Sequence, residues 1–414
     1  MTAGSPIAGP RHAPRRWAVA TIVLTAALLP TAPVEARGLK KPTLSRPSVA
    51  NLLANIPGVS RLRDLPGVAN TRLTPTSADV RDVNADGLVD VLAVNLASNN
   101  ISIFMGRGEG KFKKAVRVNP RAIAPASLHT GDFNGDKAVD IVTANFVSND
   151  VSVLLGNGDG SFRRAQLYRA GVVPGYAEVG DFNRDGRSDM AVANLGSANV
   201  SILLGLGDGR FRRAVDYAAN GLVPGCIRIA DLTGSGTLDL VTTNVGSASI
   251  SVFRGNGDGT FQPGKPYPAG LAPQCLNVGD VNADKAVDVV TGNAGSSSVS
   301  VLLNNGDATF TPARRPPTAF APFTPVLADF SDRGVPDLAV GDTATSRVAL
   351  WRNNGDGTFA KATTHRVGLV PWWLTAADVS QDGKVDIVTG NGAAASISVL
   401  INRGAGRFAA AVDY

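Results

Sequence analysis

The sequence predicts an all-β fold, a seven-bladed β-propeller of four-stranded antiparallel blades. The first observation behind this is an aspartate-rich loop that recurs seven times at spacings of 49 or 50 residues, opened by Asp82, Asp132, Asp181, Asp231, Asp280, Asp329 and Asp378. Each opens a D-x-N-x-D-G-x-x-D-like segment of nine residues. The second is a set of columns in register with these loops. A Pro lies seven residues before each opening Asp (Pro75 in the first unit, Pro371 in the last), an Asp eight after, an Asn or Asp thirteen after and a Phe thirty after. The third is the absence of helical periodicity between the columns, where short apolar runs alternate with turn residues.

The first 36 residues read as an export signal. Arg11, Arg15 and Arg16 precede an apolar run from Trp17 to Leu29, and Val34-Glu35-Ala36 offers a small-residue cleavage site. A run of thirteen residues is too short to span a bilayer comfortably, so no stable membrane span is expected. Residues 37–72 carry seven Lys or Arg against one acid, Asp64, and include Pro42, Pro47, Pro57 and Pro66. They read as a basic flexible tether, with a short helix near Val49 to Asn55. The whole chain is +6; without the signal it is +4, and the repeats from residue 73 to 414 are then about −2. The array therefore has no general basic face for nucleic acid.

Within the third unit the strands are expected at Tyr176 to Asp181, Asp189 to Asn194, Val200 to Gly205 and Phe211 to Ala218. The aspartate loop joins the first two, and Gly207-Asp208-Gly209 joins the last two, where glycine permits positive φ. Met190-Ala191-Val192-Ala193 is continuously apolar, as in a strand buried on both faces. Sheets covered on both faces by copies of themselves form a propeller or a solenoid, and a solenoid needs atypical end caps. The first and last units keep every column, which predicts a closed ring with little strand exchange where it shuts. The recurrent Phe is expected to pack between blades.

Oxygen ligands at loop positions 1, 3, 5 and 9, a carbonyl at 7 and a Gly at 6 suit one hard cation, and the lack of His or Cys favours calcium. The expected ligands are Asp82, Asn84, Asp86 and Asp90 in the first unit and Asp181, Asn183, Asp185 and Asp189 in the third. In the seventh they are Asp378, Ser380, Asp382 and Asp386. The second (Asp132, Asn134, Asp136, Asp140) and fifth (Asp280, Asn282, Asp284, Asp288) carry Lys137 and Lys285 at the Gly position and are expected to bind more weakly. The fourth, opened by Asp231, substitutes Thr233 and Ser235; the sixth, opened by Asp329, places Arg333 where the fifth-position ligand belongs, so these two are expected weak or empty.

The segments Gly180 to Asp189, Ala193 to Ser197 and Leu155 to Phe162 resemble the FG-GAP/VCBS-repeat family, related to the integrin α-chain propeller. The resemblance covers about residues 73–414 and implies a seven-bladed propeller with calcium in loops on one face. Literal Phe-Gly and Gly-Ala-Pro tripeptides are absent from the repeats, so integrin-type partner binding is not carried over.

The rim opposite the loops is where the repeat stops being uniform. The two positions after the Pro read Thr76-Ser77, Ala126-Ser127, Gly175-Tyr176, Gly225-Cys226, Gln274-Cys275, Phe323-Thr324 and Trp372-Trp373. Tyr176, Phe323, Trp372 and Trp373 offer stacking faces for a ligand, or alternatively plug the channel. Cys226 and Cys275, in one column of adjacent units, are expected to form a disulfide, which an oxidising compartment permits. The Asn column is expected to cap the following hairpin turn through Asx bonds, and His129 to line the channel. No nucleophile elbow, zinc motif or phosphate loop appears. These features favour a secreted, periplasmic or cell-surface binding or adhesion module, monomeric, for carbohydrate or an extracellular protein. The alternative is a polysaccharide lyase or hydrolase using a channel His or Tyr176. Arg or His crowding on the aromatic rim would favour that alternative, and the rim columns hold neither.

Overall fold

A computed structural model describes residues 75–311, 314, 318 and 321–414. The export signal and the basic tether lie outside the described residues. The rest forms seven separate antiparallel sheets, each built from strands consecutive in sequence. The innermost strands are Pro75–Arg81, Pro125–Gly131, Pro174–Gly180, Pro224–Ala230, Pro273–Gly279, Pro322–Ala328 and Pro371–Ala377. Each begins at the Pro column and ends just before the aspartate loop. The second strands, such as Asp90–Asn95 and Asp189–Asn194, are buried at every residue. Val91, Leu92, Val94, Met190, Ala191 and Val192 are all fully buried, which is how blades with two covered faces stabilise one another.

Ring closure rests on one bond repeated around the circle. The turn between the third and fourth strands of each blade donates a backbone N–H to the carbonyl at loop position 2 of the preceding blade. Gly160 donates to Val83 (3.1 Å), Gly209 to Phe133 (2.8 Å), Gly259 to Phe182 (3.1 Å), Ala308 to Leu232 (3.2 Å), Gly357 to Val281 (3.0 Å) and Gly406 to Phe330 (2.8 Å). Gly110 donates to Val379 (3.2 Å), so blade one closes on blade seven through the same contact, and among the described residues no strand is exchanged. Beside it the Phe column packs across the seam, Phe211 edge-on to Phe133, Phe261 to Phe182 and Phe408 to Phe330. At the closure Phe112 meets Tyr414.

Two details depart from the sequence-based expectation. In blade three the outer strand is Val215–Ala218 and not Phe211 to Ala218. Phe211 instead forms a lone bridge with Gly205 that closes the turn. Blade five has three full strands; the fourth is reduced among the described residues to a bridge between Val301 and Arg314.

Candidate functional site

The antiparallel order puts two different surfaces on the two ends of the ring. One end carries the aspartate loops and the turns before the Phe column. The other carries the turns between second and third strands and the links that run into each Pro.

On the loop end, each loop folds around its opening carboxylate. Asp82 accepts the N–H groups of Asp86 (3.2 Å) and Gly87 (2.8 Å), and Asn84 accepts the same N–H of Asp86 (3.1 Å). Asp181 and Asp378 do the equivalent in blades three and seven. Position 6 has positive φ in glycine, 80° at Gly87, and also at Lys137 (68°) and Lys285 (72°), where a Cβ makes that conformation costly. Position 4 is left-handed as well, at Ala85, Arg184, Ala283, Asp332 and Gln381. A glycine announces that second twist in blades two and four alone, at Gly135 and Gly234, and sequence reasoning missed it.

The position-9 carboxylates Asp90, Asp140, Asp189, Asp288 and Asp386 are fully buried, each holding two or more backbone N–H groups. Burial, reinforced by repulsion from the neighbouring loop carboxylates, pushes Asp140 and Asp288 up to about 6 and raises Asp90, Asp189 and Asp386. Among the described residues no three acidic, His or Cys side chains converge as a finished metal cage, because the carboxylates are turned toward the loop's own N–H groups. Each carboxylate oxygen has a second lone pair, and an all-oxygen set of mutually repelling acids is chemically matched to a hard divalent cation. The residues therefore fit calcium by donor chemistry and charge.

Blade six resolves the same crowding with its own cation. The Arg333 guanidinium contacts Asp337 (3.2 Å), Ser331 (3.0 Å) and the carbonyl of Asn353 (2.6 Å). In blade four Thr233 and Ser235 bond to each other (2.9 Å), a neutral hydroxyl pair where other loops have charge.

At the opposite end the residues after each Pro surround a cavity of about 130 Å³ at the mouth of the channel, lined by Thr76, Tyr176, Gln274, Phe323, Trp372 and Trp373 among others. Every inner strand breaks register here, between Pro75 and Ser77 in blade one and between Pro371 and Trp373 in blade seven. An irregularity of this kind re-aims the side chains that follow it. The four aromatics divide into two pairs. Tyr176 and Trp373, 5 % and 7 % exposed, meet across the channel with centroids 5.4 Å apart. Phe323 and Trp372 are half-buried at the mouth and stack at 6.4 Å with planes 22° apart. Two polar atoms of the mouth, Thr76 Oγ1 and Trp372 Nε1, have no hydrogen-bond partner among the described residues. By contrast Trp373 Nε1 donates to the carbonyl of Ala78 (2.9 Å), a structural bond.

Beneath the mouth the structure corrects the view that the aromatic rim lacks Arg and His. The Arg228 guanidinium lies over the rings of Tyr176 (5.0 Å) and Trp373 (5.5 Å) and donates to the Tyr176 hydroxyl. His129 Nε2 is 2.8 Å from the same hydroxyl and 3.2 Å from Glu178 Oε2, which also lies 3.6 Å from Arg228. Burial pushes the Tyr176 phenol above its ordinary range, so it stays neutral. Cys226 and Cys275 are joined as a disulfide with Cα atoms 4.9 Å apart and form part of the cavity wall.

The Asn column departs from its expected role. Asn95 Nδ2 donates to Asn100 Oδ1 and Ser102 Oγ (2.9 Å each), and Asn145 and Asn194 bridge strands in the same way. These side chains tie the second strand to the third. In blade six Asp342 does accept the N–H groups of the following turn as an Asx cap.

The FG-GAP-like repeat family matches residues 82–143, 132–192, 181–242, 231–291, 280–340 and 329–389, each window starting on an opening Asp. The chain belongs to the FG-GAP-like repeat family. No curated protein is a significant match. Among solved structures, an Agrocybe aegerita lectin described as recognising non-reducing terminal N-acetylglucosamine is similar at 20 % identity and a TM-score of 0.52, over 81 % of this chain and 93 % of that one. Virginiamycin B lyase from Staphylococcus aureus is similar at 14 % identity and 0.53, over 80 % and 96 %. A putative 6-phosphogluconolactonase from Bacteroides fragilis is similar at 13 % and 0.57, over 84 % and 97 %. At these identities the FG-GAP chain shares a fold with them, and the fold alone. No helix among the described residues is long and apolar enough to cross a membrane.

Proposed function

We propose that this FG-GAP-repeat propeller is an exported, calcium-stabilised binding module whose ligand, a carbohydrate or an extracellular protein, engages the aromatic mouth. The observation that carries the reading is the stacked pair Phe323 and Trp372 with two unpartnered polar atoms, Thr76 Oγ1 and Trp372 Nε1, at one cavity. Buried polar atoms are ordinarily satisfied, and a ligand with a flat apolar face and hydroxyls would satisfy both kinds of surface. A lectin among the similar folds accords with this. Calcium would be held by Asp82, Asn84, Asp86 and Asp90 in blade one and by the matching residues of blades two, three, five and seven, neutralising the crowded carboxylates. The expected outcome is binding on a glycan or extracellular-protein array in calcium, lost in Trp372→Ala.

A second reading, a polysaccharide lyase or hydrolase, is favoured by one observation: His129, Arg228 and Glu178 gather around the Tyr176 hydroxyl. Release of unsaturated products from uronate polymers would decide for it. Array binding without turnover would decide against it.

A further inference from the structure

The mouth rim has a second property that ligand binding in the cavity does not use. Among the described residues, the links into the inner strands of blades two, three, four, five and seven present an aliphatic side chain two residues before the Pro, and four of these are more than half exposed: Val172 51 %, Leu222 61 %, Leu271 60 % and Leu369 54 %. They are held outward. The N–H of Leu222 donates to Ser247 Oγ (3.1 Å) and its carbonyl accepts from Gly246 (3.0 Å). Leu271 is pinned alike by Ser296 and Gly295, and Val172 by Ser197 and Gly196. The residue that follows is left-handed each time, at Val173, Val223, Ala272 and Val370, with φ between 49° and 59°. For a β-branched residue that conformation is rare and strained.

Charge on this rim is one-sided. The described loops between second and third strands, and the described links between blades, contain no Asp or Glu, whereas the aspartate loops and their neighbouring turns concentrate the acids on the other end. Basic groups do occur at the mouth rim, with Arg121, Arg169 and Arg366 all exposed. The described chain enters the ring at Pro75, on this same rim, directly after the basic residues 37–72.

We propose that the mouth rim docks onto an anionic lipid surface, with Val172, Leu222, Leu271 and Leu369 entering the acyl boundary and Arg121, Arg169 and Arg366 meeting headgroup phosphates. Exposed aliphatic side chains combined with an excess of basic groups, here opposed at the rim by the part-buried Asp150 across from Arg169, are what interfacial binding to anionic lipid requires. A flat protein partner of the same charge would need no aliphatic insertion. This proposal is independent of the cavity ligand, so either can fail alone.

The test is co-sedimentation of the full chain with phosphatidylcholine vesicles with and without phosphatidylglycerol. The triple variant Leu222→Ser, Leu271→Ser, Leu369→Ser should bind anionic vesicles roughly tenfold or more weakly than the parent, with a melting temperature close to the parent's because more than half of each side chain is exposed. Both proteins retain residues 1–72, so the difference isolates the rim. Leu271→Trp should add a blue-shifted emission component when anionic vesicles are present. Equal binding of parent and triple variant, or an unshifted Leu271→Trp emission, would each overturn the proposal.

Discussion

On the loop end, blades one, three and seven repeat one backbone with the same acid at positions 1, 5 and 9, and Arg333 in blade six answers the same crowding with its own charge. On the mouth end the same two columns hold Thr76-Ser77 in blade one and Trp372-Trp373 in blade seven. Both ends hang on the same strands, so the difference lies in what surrounds each. The repeated end holds blades at a fixed spacing, a task identical in every sector. The varied end presents a single surface around a single axis, where seven identical contributions would gain nothing.

If calcium fills the loops as proposed, the largest expected effect comes from chelation, which should lower the melting temperature reversibly and cost about 2.7 kcal/mol of stability for each loop held at a hundredfold excess of calcium over its dissociation constant. An unchanged melting curve in EDTA would erase the distinction drawn between the two ends. Next is the pair of adjacent tryptophans. Trp373→Ala removes a buried ring and the bond to Ala78, and should cost about 3–5 kcal/mol in chemical denaturation. Trp372→Ala, at the half-buried position, should leave most of that stability intact while abolishing ligand binding. Similar losses from both would mean that the mouth is structural throughout.

Arg333→Asp should give blade six the missing fifth-position acid and raise calcium stoichiometry by one in calorimetric titration, with a cost in EDTA of about 1–3 kcal/mol from the unpaired Asp337. The pH dependence has a defined sign. Asp140 and Asp288 titrate at about 6 in the folded chain and near 3.9 when unfolded, so the metal-free fold binds the extra protons. Their contribution is fully present below about pH 4 and is lost as the pH rises through about 6. In EDTA the melting temperature should therefore fall between those limits, and Asp140→Asn should flatten the fall. The smallest effect is Lys137→Gly, which relieves a left-handed non-glycine residue and should add about 1 kcal/mol in denaturant titration.

What repeats was legible in the sequence. The loops, the buried second strand and the Phe seam recur in register, and the closed ring follows from first and last units that lack caps. In five of the seven loops the left-handed position 4 was hidden, because residues such as Ala85, Arg184 and Gln381 share no side-chain chemistry. The cluster beneath the mouth was hidden for a different reason. Tyr176 and Trp373 are 197 residues apart and come from blades three and seven, and only closure of the circle lets them face each other over Arg228. The columns showed which residues point inward, not which meet across the axis.

The bond from Gly110 to Val379 is no different from its six counterparts, so the place where the chain happens to start and stop has no special mechanical standing. A gene cut at the link between any two blades, with Tyr414 spliced to Pro75 by a stretch as short as Ala219 to Val223, should yield a circular permutant with the same seams. Only the point where residues 1–74 attach would move.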